Sequence, residues 1–165
     1  MNSRKMIAGK RVLLVDDEKD VLETLSTLLD ICKLDTALSF EEAKKLLNEN
    51  EYDVAILDIM GVKGFELLEI AKDKGVAVLM LTAHGLSEEN LKRSAENGAS
   101  YYAPKEEMSN IASFVADILE AKARNASPWL RWLERLGGYF DRRFGGRDWR
   151  EKEKKFWDNR VKPYD

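Results

Sequence analysis

Residues 12–18 read Val-Leu-Leu-Val-Asp-Asp-Glu, four aliphatic residues followed directly by three acids. An unbroken aliphatic run predicts a strand that is buried on both faces, as in a parallel sheet covered by helices. Two further runs end in the same way, because residues 54–58 are Val-Ala-Ile-Leu-Asp and residues 76–82 are Val-Ala-Val-Leu-Met-Leu-Thr. The repeated pattern of buried strand and terminal polar residue predicts a site at one edge of the sheet.

Five pairs of strand and helix alternate along residues 10–124. Helix starts are marked by a capping box at Ser39 and Glu42 and by a capping serine at Ser87, and the last helix is predicted over residues 108–124. We expect an α/β fold, a flavodoxin-like (βα)5 doubly wound parallel sheet with strand order 2-1-3-4-5. The predicted strands cover residues 12–15, 35–38, 54–57, 76–81 and 100–103.

The two parts of the chain differ in charge and in aromatic content. Residues 1–124 contain 16 Lys and Arg against 23 Asp and Glu, a net charge of −7, whereas residues 125–165 contain 11 against 7, a net charge of +4. We therefore predict an α/β domain over residues 1–124 and an aromatic, basic, helical C-terminal extension over residues 125–165. The extension holds all four tryptophans: Trp129, Trp132, Trp149 and Trp157.

The remaining composition narrows the functional class. The chain has one cysteine, Cys32, and one histidine, His84, which excludes an intrachain disulfide and the usual zinc clusters. Its apolar runs are shorter than the ~20 residues of a membrane-spanning helix. Its first residues lack the apolar stretch of a secretory signal. We expect a cytoplasmic protein.

Polar residues from four strands meet at the carboxyl edge of the predicted sheet. Asp16 and Asp17 follow the first strand, Asp58 the third, Thr82 ends the fourth, and Lys105 follows the fifth. Two carboxylates about 4 Å apart repel by on the order of 4 kcal/mol at an effective dielectric near 20. A magnesium ion would relieve this repulsion, since it binds a few carboxylate oxygens and leaves room for phosphate oxygens.

This set of side chains suits phosphoryl transfer. The Asp58 carboxylate can attack a phosphoryl group, while magnesium and the Lys105 ammonium neutralise the transferring oxygens and Thr82 hydrogen-bonds one of them. A purely structural explanation treats the acids as a favourable helix N-terminus and Lys105 as a surface lysine. The joint placement of all these residue types at strand ends favours the catalytic interpretation.

The chain resembles the response-regulator receiver family over about residues 10–123. The resemblance rests on four segments, Val-Asp-Asp-Glu at 15–18, Ile-Leu-Asp at 56–58, Leu-Thr-Ala at 81–83 and Tyr-Ala-Pro-Lys at 102–105. It implies a phosphoprotein of two-component signalling, with a histidine kinase or phosphotransfer protein as phosphate donor. It also implies that the chain catalyses only its own Mg²⁺-dependent phosphorylation and dephosphorylation.

The resemblance also implies individual roles. Thr82 and Tyr102 would be a switch pair, in which Tyr102 turns inward when Thr82 is drawn to the phosphate. The signalling surface would be the 4-5-5 face, formed by the fourth helix, fifth strand and fifth helix of the domain. The implied magnesium ligands are Asp16, Asp17, Asp58 and the backbone carbonyl of Met60.

One departure from the family pattern lies directly after Asp58. The family usually has a proline four residues after the phosphoacceptor and a glycine eight residues after it, whereas residues 58–64 read Asp-Ile-Met-Gly-Val-Lys-Gly. The shortened loop leaves open a second function, an unphosphorylated receiver-fold scaffold. An aspartate-dependent phosphatase is disfavoured because Met60 stands where its acid would be. Met60 and His84 would flank the path of an attacking water, and Met60 is predicted to slow phosphate loss. His84 could equally be an exposed loop histidine without a kinetic role.

Three roles are open for the extension. Its aromatic face could pack on the domain or on a second copy in a homodimer, bind a protein partner, or lie on a membrane surface. Helical spacing begins after residues 127–128, Gly137-Gly138 predicts a break or bend, and a second segment follows Gly145-Gly146. No DNA-recognition signature is present, so we expect neither a DNA-binding output domain nor direct DNA binding.

Overall fold

The protein is built around a five-stranded parallel sheet, in a computed structural model that describes residues 3–84 and 86–162. The strand order β2-β1-β3-β4-β5 confirms the predicted topology. Val15 pairs with Leu57 and Thr82 with Pro104, so the residues after these strands reach the same edge. The strands are β1 Arg11–Val15, β2 Lys33–Ala37, β3 Val54–Leu57, β4 Ala77–Thr82 and β5 Tyr101–Pro104.

Helices cover the sheet, and none of those in the described residues has the length and apolar composition needed to span a bilayer. The helices that precede residue 125 are α1 Ser3–Ile7, α2 Lys19–Leu28, α3 Phe40–Glu49, α4 Gly64–Asp73, α5 Glu88–Glu96 and α6 Ile111–Ala123. Helices α1 and α2 pack with α6, and α3 packs with α4. The fourth and fifth helices predicted from the sequence are α5 and α6, so the 4-5-5 face is the α5–β5–α6 face.

Serine side chains fix where two of these helices begin. The hydroxyl of Ser39 accepts a hydrogen bond from the backbone N–H of Glu42, and the Glu42 carboxylate accepts one from the N–H of Leu38. The hydroxyl of Ser87 accepts a hydrogen bond from the N–H of Asn90. Both predicted caps are confirmed. They satisfy backbone donors that the first helical turn leaves unpaired.

The boundaries of two segments differ from the prediction. Residues 105–110 form a 3-10 helix, so the predicted last helix begins as α6 at Ile111. Helix α1 was not predicted, because its five residues are too few to show helical periodicity. Its role is visible only in three dimensions, where Ile7 is fully buried in the core.

The C-terminal extension folds into three helices, α7 Trp129–Arg143, α8 Asp148–Glu151 and α9 Lys154–Arg160. Of the break or bend predicted at Gly137-Gly138, the break is wrong, because α7 runs through both glycines. Packing of the aromatic face offsets the low helix propensity of glycine. The second segment, which follows Gly145-Gly146, forms the two helices α8 and α9. Residues 163–165 of the predicted extension lie outside the described residues, as do residues 1–2 of the predicted domain.

The four tryptophans of the extension form one aromatic cluster. Trp132 is fully buried, and its ring centroid lies 4.9 Å from Trp129, 5.6 Å from Trp157 and 6.0 Å from Trp149. Phe140 stacks on Trp132 at 5.6 Å. This cluster joins the main hydrophobic core of the protein. Of the three roles considered for the aromatic face, packing on the α/β domain of the same chain is the arrangement observed.

Candidate functional site

Acidic side chains gather at the carboxyl ends of β1 and β3. Carboxylate oxygens of Asp16, Asp17 and Glu18 lie within 4.8 Å of one another. Asp16 is 2% exposed and Asp58 is 5% exposed. The backbone N–H of Asp58 donates to the carbonyl of Val15 at 3.0 Å, which continues the pairing of β1 with β3 by one residue. The sheet itself therefore holds two nearly buried carboxylates side by side.

Lys105 connects these carboxylates from the end of β5. Its ammonium lies 2.8 Å from Asp16 Oδ2, 3.2 Å from Glu18 Oε1 and 3.6 Å from Asp58 Oδ1. Burial lowers the pKa of the Lys105 amine, but the hydrogen bond to Asp16 and the charge of Asp58 outweigh it and raise this pKa above its ordinary value. Lys105 is therefore a fixed positive charge within reach of Asp58.

The environment of Asp58 disfavours its ionised form. Burial raises its pKa from 3.8 to about 7, the negative charge of Asp16 adds to the rise, and Lys105 opposes it. One ammonium is therefore too little charge to balance this set of acids. A hard divalent cation fits the site, because carboxylate oxygens of the buried Asp16 and of the exposed Asp17 and Glu18 lie within a few ångströms of one another.

The shortened loop after Asp58 turns sharply through left-handed backbone. Gly61 has φ of 86° and Lys63 has φ of 55°. A Cβ at Gly61 would lie 2.5 Å from Asp17 Oδ2, and one at Gly64 would lie 2.2 Å from the carbonyl oxygen of Asp58. The backbone of this loop therefore packs directly against the acidic site, and glycine provides the necessary space.

Thr82 and Tyr102 lie on neighbouring strands. Both are fully buried. The phenol oxygen of Tyr102 accepts a hydrogen bond from the backbone N–H of Ser87 at 3.1 Å, and its ring lies 5.6 Å from Phe140 of the extension. Burial raises the pKa of Tyr102 to about 12, although a hydrogen bond with the backbone of Ser87 opposes the rise. Tyr102 is held inside the protein beneath the extension.

The structure brings most of the predicted site residues to one edge of the sheet. Asp16, Asp17, Asp58 and Lys105 meet there, and Thr82 ends β4 at the same edge. By contrast, the side chain of Met60 is 52% exposed and His84 is exposed. Sequence reasoning did not identify Glu18 as a partner of Lys105, although the third acid after β1 is a signal that could have suggested it.

Comparison with known proteins identifies the class to which this fold and site belong. The sequence profile described as "Response regulator receiver domain" matches residues 12–116. The chain therefore belongs to the response-regulator receiver family of two-component signalling. Members of the family accept phosphoryl groups and bind Mg²⁺, in agreement with the acidic group at residues 16–18.

Individual relatives agree with this assignment. A "Transcriptional regulatory protein CpxR homolog" from Haemophilus influenzae is 41% identical over 125 residues, covering 72% of this chain and 52% of the relative. A CheY-like receiver domain from Methanospirillum hungatei is 26% identical, with a TM-score of 0.60, and covers 70% of this chain and 99% of that one. The BeF3-activated receiver domain of DrrB from Thermotoga maritima is 28% identical, with a TM-score of 0.59. The match covers 68% of this chain and 98% of that domain. The chain thus spans about half the length of the Haemophilus relative.

Asp58→Asn is expected to stabilise the metal-free protein above neutral pH. Because the pKa of Asp58 is about 7 in the folded state and 3.8 ordinarily, the folded state binds more protons between these values. The free energy of unfolding therefore falls as pH rises from about 4 to about 7. Asp58→Asn lacks the titrating carboxyl group and so does not lose this stability, which is on the order of 2 to 4 kcal/mol. Thermal unfolding with a chelator at about pH 5 and about pH 8 measures it. A stability difference that is the same at both pH values, or is matched by the exposed control Asp73→Asn, contradicts the prediction.

Gly64→Ala is expected to destabilise the protein by about 1 to 3 kcal/mol, because the new Cβ would meet the backbone of Asp58 and Ile59. Gly138→Ala is the matched control, since it is also a helical glycine but its Cβ would meet only Arg142 Nη1 at 3.5 Å. The control is expected to stabilise by about 0.5 to 1 kcal/mol. Urea unfolding compares the two, and equal effects would show that the contact with Asp58 does not constrain the loop.

Proposed function

We propose that this chain is a phosphorylation-controlled receiver of a two-component phosphorelay, with Asp58 as the phosphoacceptor. The observation that supports this most directly is the position of Lys105, whose ammonium lies 2.8 Å from Asp16 and 3.6 Å from Asp58. The phosphate donor is a histidine kinase or a phosphotransfer protein, as in the family. The BeF3-activated state of the DrrB domain gives a precedent among similar structures.

The reaction that we propose is an in-line phosphoryl transfer. An Asp58 carboxylate oxygen attacks phosphorus and forms an acyl phosphate, while the bond from phosphorus to the donor nitrogen breaks and its electron pair stays on the donor imidazole. Lys105 turns from Asp16 toward a phosphoryl oxygen and stabilises its charge. The hydroxyl of Thr82 donates a hydrogen bond to a second phosphoryl oxygen. Hydrolysis of the acyl phosphate by water restores Asp58 and releases inorganic phosphate.

Four groups would hold Mg²⁺ in this proposal: Asp16, Asp17, Asp58 and the backbone carbonyl of Met60. The bound ion would supply positive charge to the carboxylates and to the phosphoryl oxygens. Asp58 must be ionised to act as a nucleophile, and burial beside Asp16 holds its pKa at about 7. Asp16 and Asp17 therefore contribute by binding a cation that favours the ionised form of Asp58 near neutral pH.

The phosphoryl group would act as a switch through Thr82 and Tyr102. Moving a two-state equilibrium from 1:99 to 99:1 needs about 5.5 kcal/mol of differential binding, which a phosphoryl dianion held by several charged groups can supply. We propose that the change reaches the α5–β5–α6 face, to which Tyr102 belongs. The absence of a DNA-binding output domain and a cytoplasmic location both stay predictions.

A second function is an unphosphorylated scaffold with the receiver fold. The observation that favours it is the altered loop after Asp58, in which Met60 is exposed and Lys63 adopts a left-handed backbone. A kinase that contacts the loop would meet an unusual surface. The two functions differ in whether Asp58 is needed for the protein to change state.

Asp58→Asn is expected to abolish phosphorylation. Wild type incubated with acetyl phosphate and Mg²⁺ should gain the mass of one phosphoryl group, whereas Asp58→Asn should not, because it lacks the nucleophilic carboxylate. Asp73→Asn is the control for a lost acid, since Asp73 is exposed at the end of α4. Intact-mass spectrometry makes the measurement. A wild type that stays unmodified with acetyl phosphate and does not respond to beryllofluoride would support the scaffold function instead.

Met60→Ala is expected to shorten the lifetime of the phosphoprotein, because the exposed Met60 side chain follows the phosphoacceptor by two residues and would shield it from water. The decay of the phosphorylated mass after removal of acetyl phosphate gives the rate. The exposed residue Leu38 offers a control as Leu38→Ala. Faster decay in wild type than in Met60→Ala would contradict the shielding role.

A further inference from the structure

The C-terminal extension occupies the α5–β5–α6 face. The indole N–H of Trp132 donates to the backbone carbonyl of Tyr102 at 2.8 Å, and the buried Phe140 packs on the ring of Tyr102 at 5.6 Å. Helix α7 therefore lies directly over β5. The surface through which we expect the receiver to signal is in contact with a segment of its own chain.

Polar contacts hold the extension at both sides of β5. Arg135 binds the carboxylate of Asp117 on α6 through two hydrogen bonds, and Asp117 also accepts one from Tyr101. Asp117 is 2% exposed in the docked state, so its pair with Arg135 is shielded from water and depends on α7 staying in place. On the other side, Lys152 pairs with Glu88 of α5 at 2.9 Å, an exposed contact that contributes little. The docked extension is thus a stable part of the fold.

One end of α7 reaches the phosphoacceptor region. A cleft of about 440 Å³ is lined by Thr82 and Lys105 on one side and by Tyr139 and Arg143 of α7 on the other. The hydroxyl of Tyr139 donates to the carboxylate of Glu106, the residue directly after Lys105. The same short segment that contacts Asp58 through Lys105 therefore contacts the extension through Glu106.

Arg143 gives this cleft a positive charge that comes from the extension. It is exposed, and within residues 3–84 and 86–162 it forms no ion pair. A phosphoryl group on Asp58 would bring roughly 1.5 to 2 negative charges to the side of the cleft where Thr82 and Lys105 lie. A guanidinium on the opposite wall would be attracted to it, and this attraction would add to that of Glu106, which lines the same cleft.

We propose that the C-terminal extension responds directly to the charge of the phosphoacceptor site. Arg143 is the residue that complements the phosphoryl charge, so phosphorylation strengthens the docking of α7 on the receiver. This inference rests on the proposed phosphorylation of Asp58. It deepens that function by assigning the α5–β5–α6 face to an occupant within the chain. Because coupling between two sites is reciprocal, the docked extension raises the affinity of the site for a phosphoryl group to the same degree.

The experiment measures binding of beryllofluoride with Mg²⁺ to the full chain, a probe that imitates the phosphoryl group without covalent chemistry. Arg143→Gln is expected to weaken binding about three- to tenfold at low salt, and the loss should shrink as ionic strength rises. Arg142→Gln is the matched control, because it removes the same charge from the preceding position, whose side chain does not line the cleft. It should bind as wild type does.

A second measurement reports docking itself. Hydrogen exchange of the amides in α7 is expected to slow when beryllofluoride and Mg²⁺ bind wild type, and to slow less in Arg143→Gln. If wild type and Arg143→Gln bind the probe equally well, the role of Arg143 in binding the phosphoryl charge is overturned while phosphorylation stands. The same conclusion follows if the two arginine variants lose affinity alike. If wild type binds no probe and takes no phosphate, both proposals are overturned.

Discussion

Repulsion among buried carboxylates is the constraint on which the site depends. Parallel pairing of β1 with β3 brings Asp16 and Asp58 together with exposures of only 2% and 5%. No strand pairing can separate them without moving the aliphatic runs that precede them out of the core. The protein therefore needs positive charge at this edge, and Lys105 supplies part of it from β5. The fold therefore leaves the negative charge of this edge only partly neutralised, and binding of a cation or a phosphoryl group would change its net charge.

Much of the fold and of the site followed from the sequence because both depend on local patterns. Unbroken aliphatic runs predicted the strands, and the alternation of strands and helices along the chain predicted the strand order of the sheet. The acids at residues 16, 17 and 58 and the lysine at 105 follow those strands directly, so their meeting is a consequence of topology. What stayed hidden depends on distant contacts. Helix α1 is too short to have a period, and the packing partner of the extension has no signature in its own residues.

The two glycine pairs illustrate the same limit in opposite directions. Gly137-Gly138 suggested a broken or bent helix, but α7 is continuous because Trp132, Leu136 and Phe140 bury its apolar face. Gly61 and Gly64 suggested only a shorter loop, whereas in three dimensions each meets an aspartate of the site. Tertiary packing overrides helix propensity at the first pair. It favours glycine at the second, where a Cβ would meet the Asp17 side chain or the Asp58 backbone.

The tryptophan cluster has an optical consequence. Residues 1–124 contain no tryptophan, so the indole fluorescence of the chain originates entirely in the extension. Trp132 and Trp157 stack at 5.6 Å with an angle of 13° between their rings, close enough for their excited states to couple and to give a strong near-ultraviolet circular dichroism signal. Undocking would remove the hydrogen bond from the Trp132 indole to the Tyr102 carbonyl and expose the buried ring to water, which would change the tryptophan signal. The chain thus carries an intrinsic optical label that lies entirely in the extension and reports its environment.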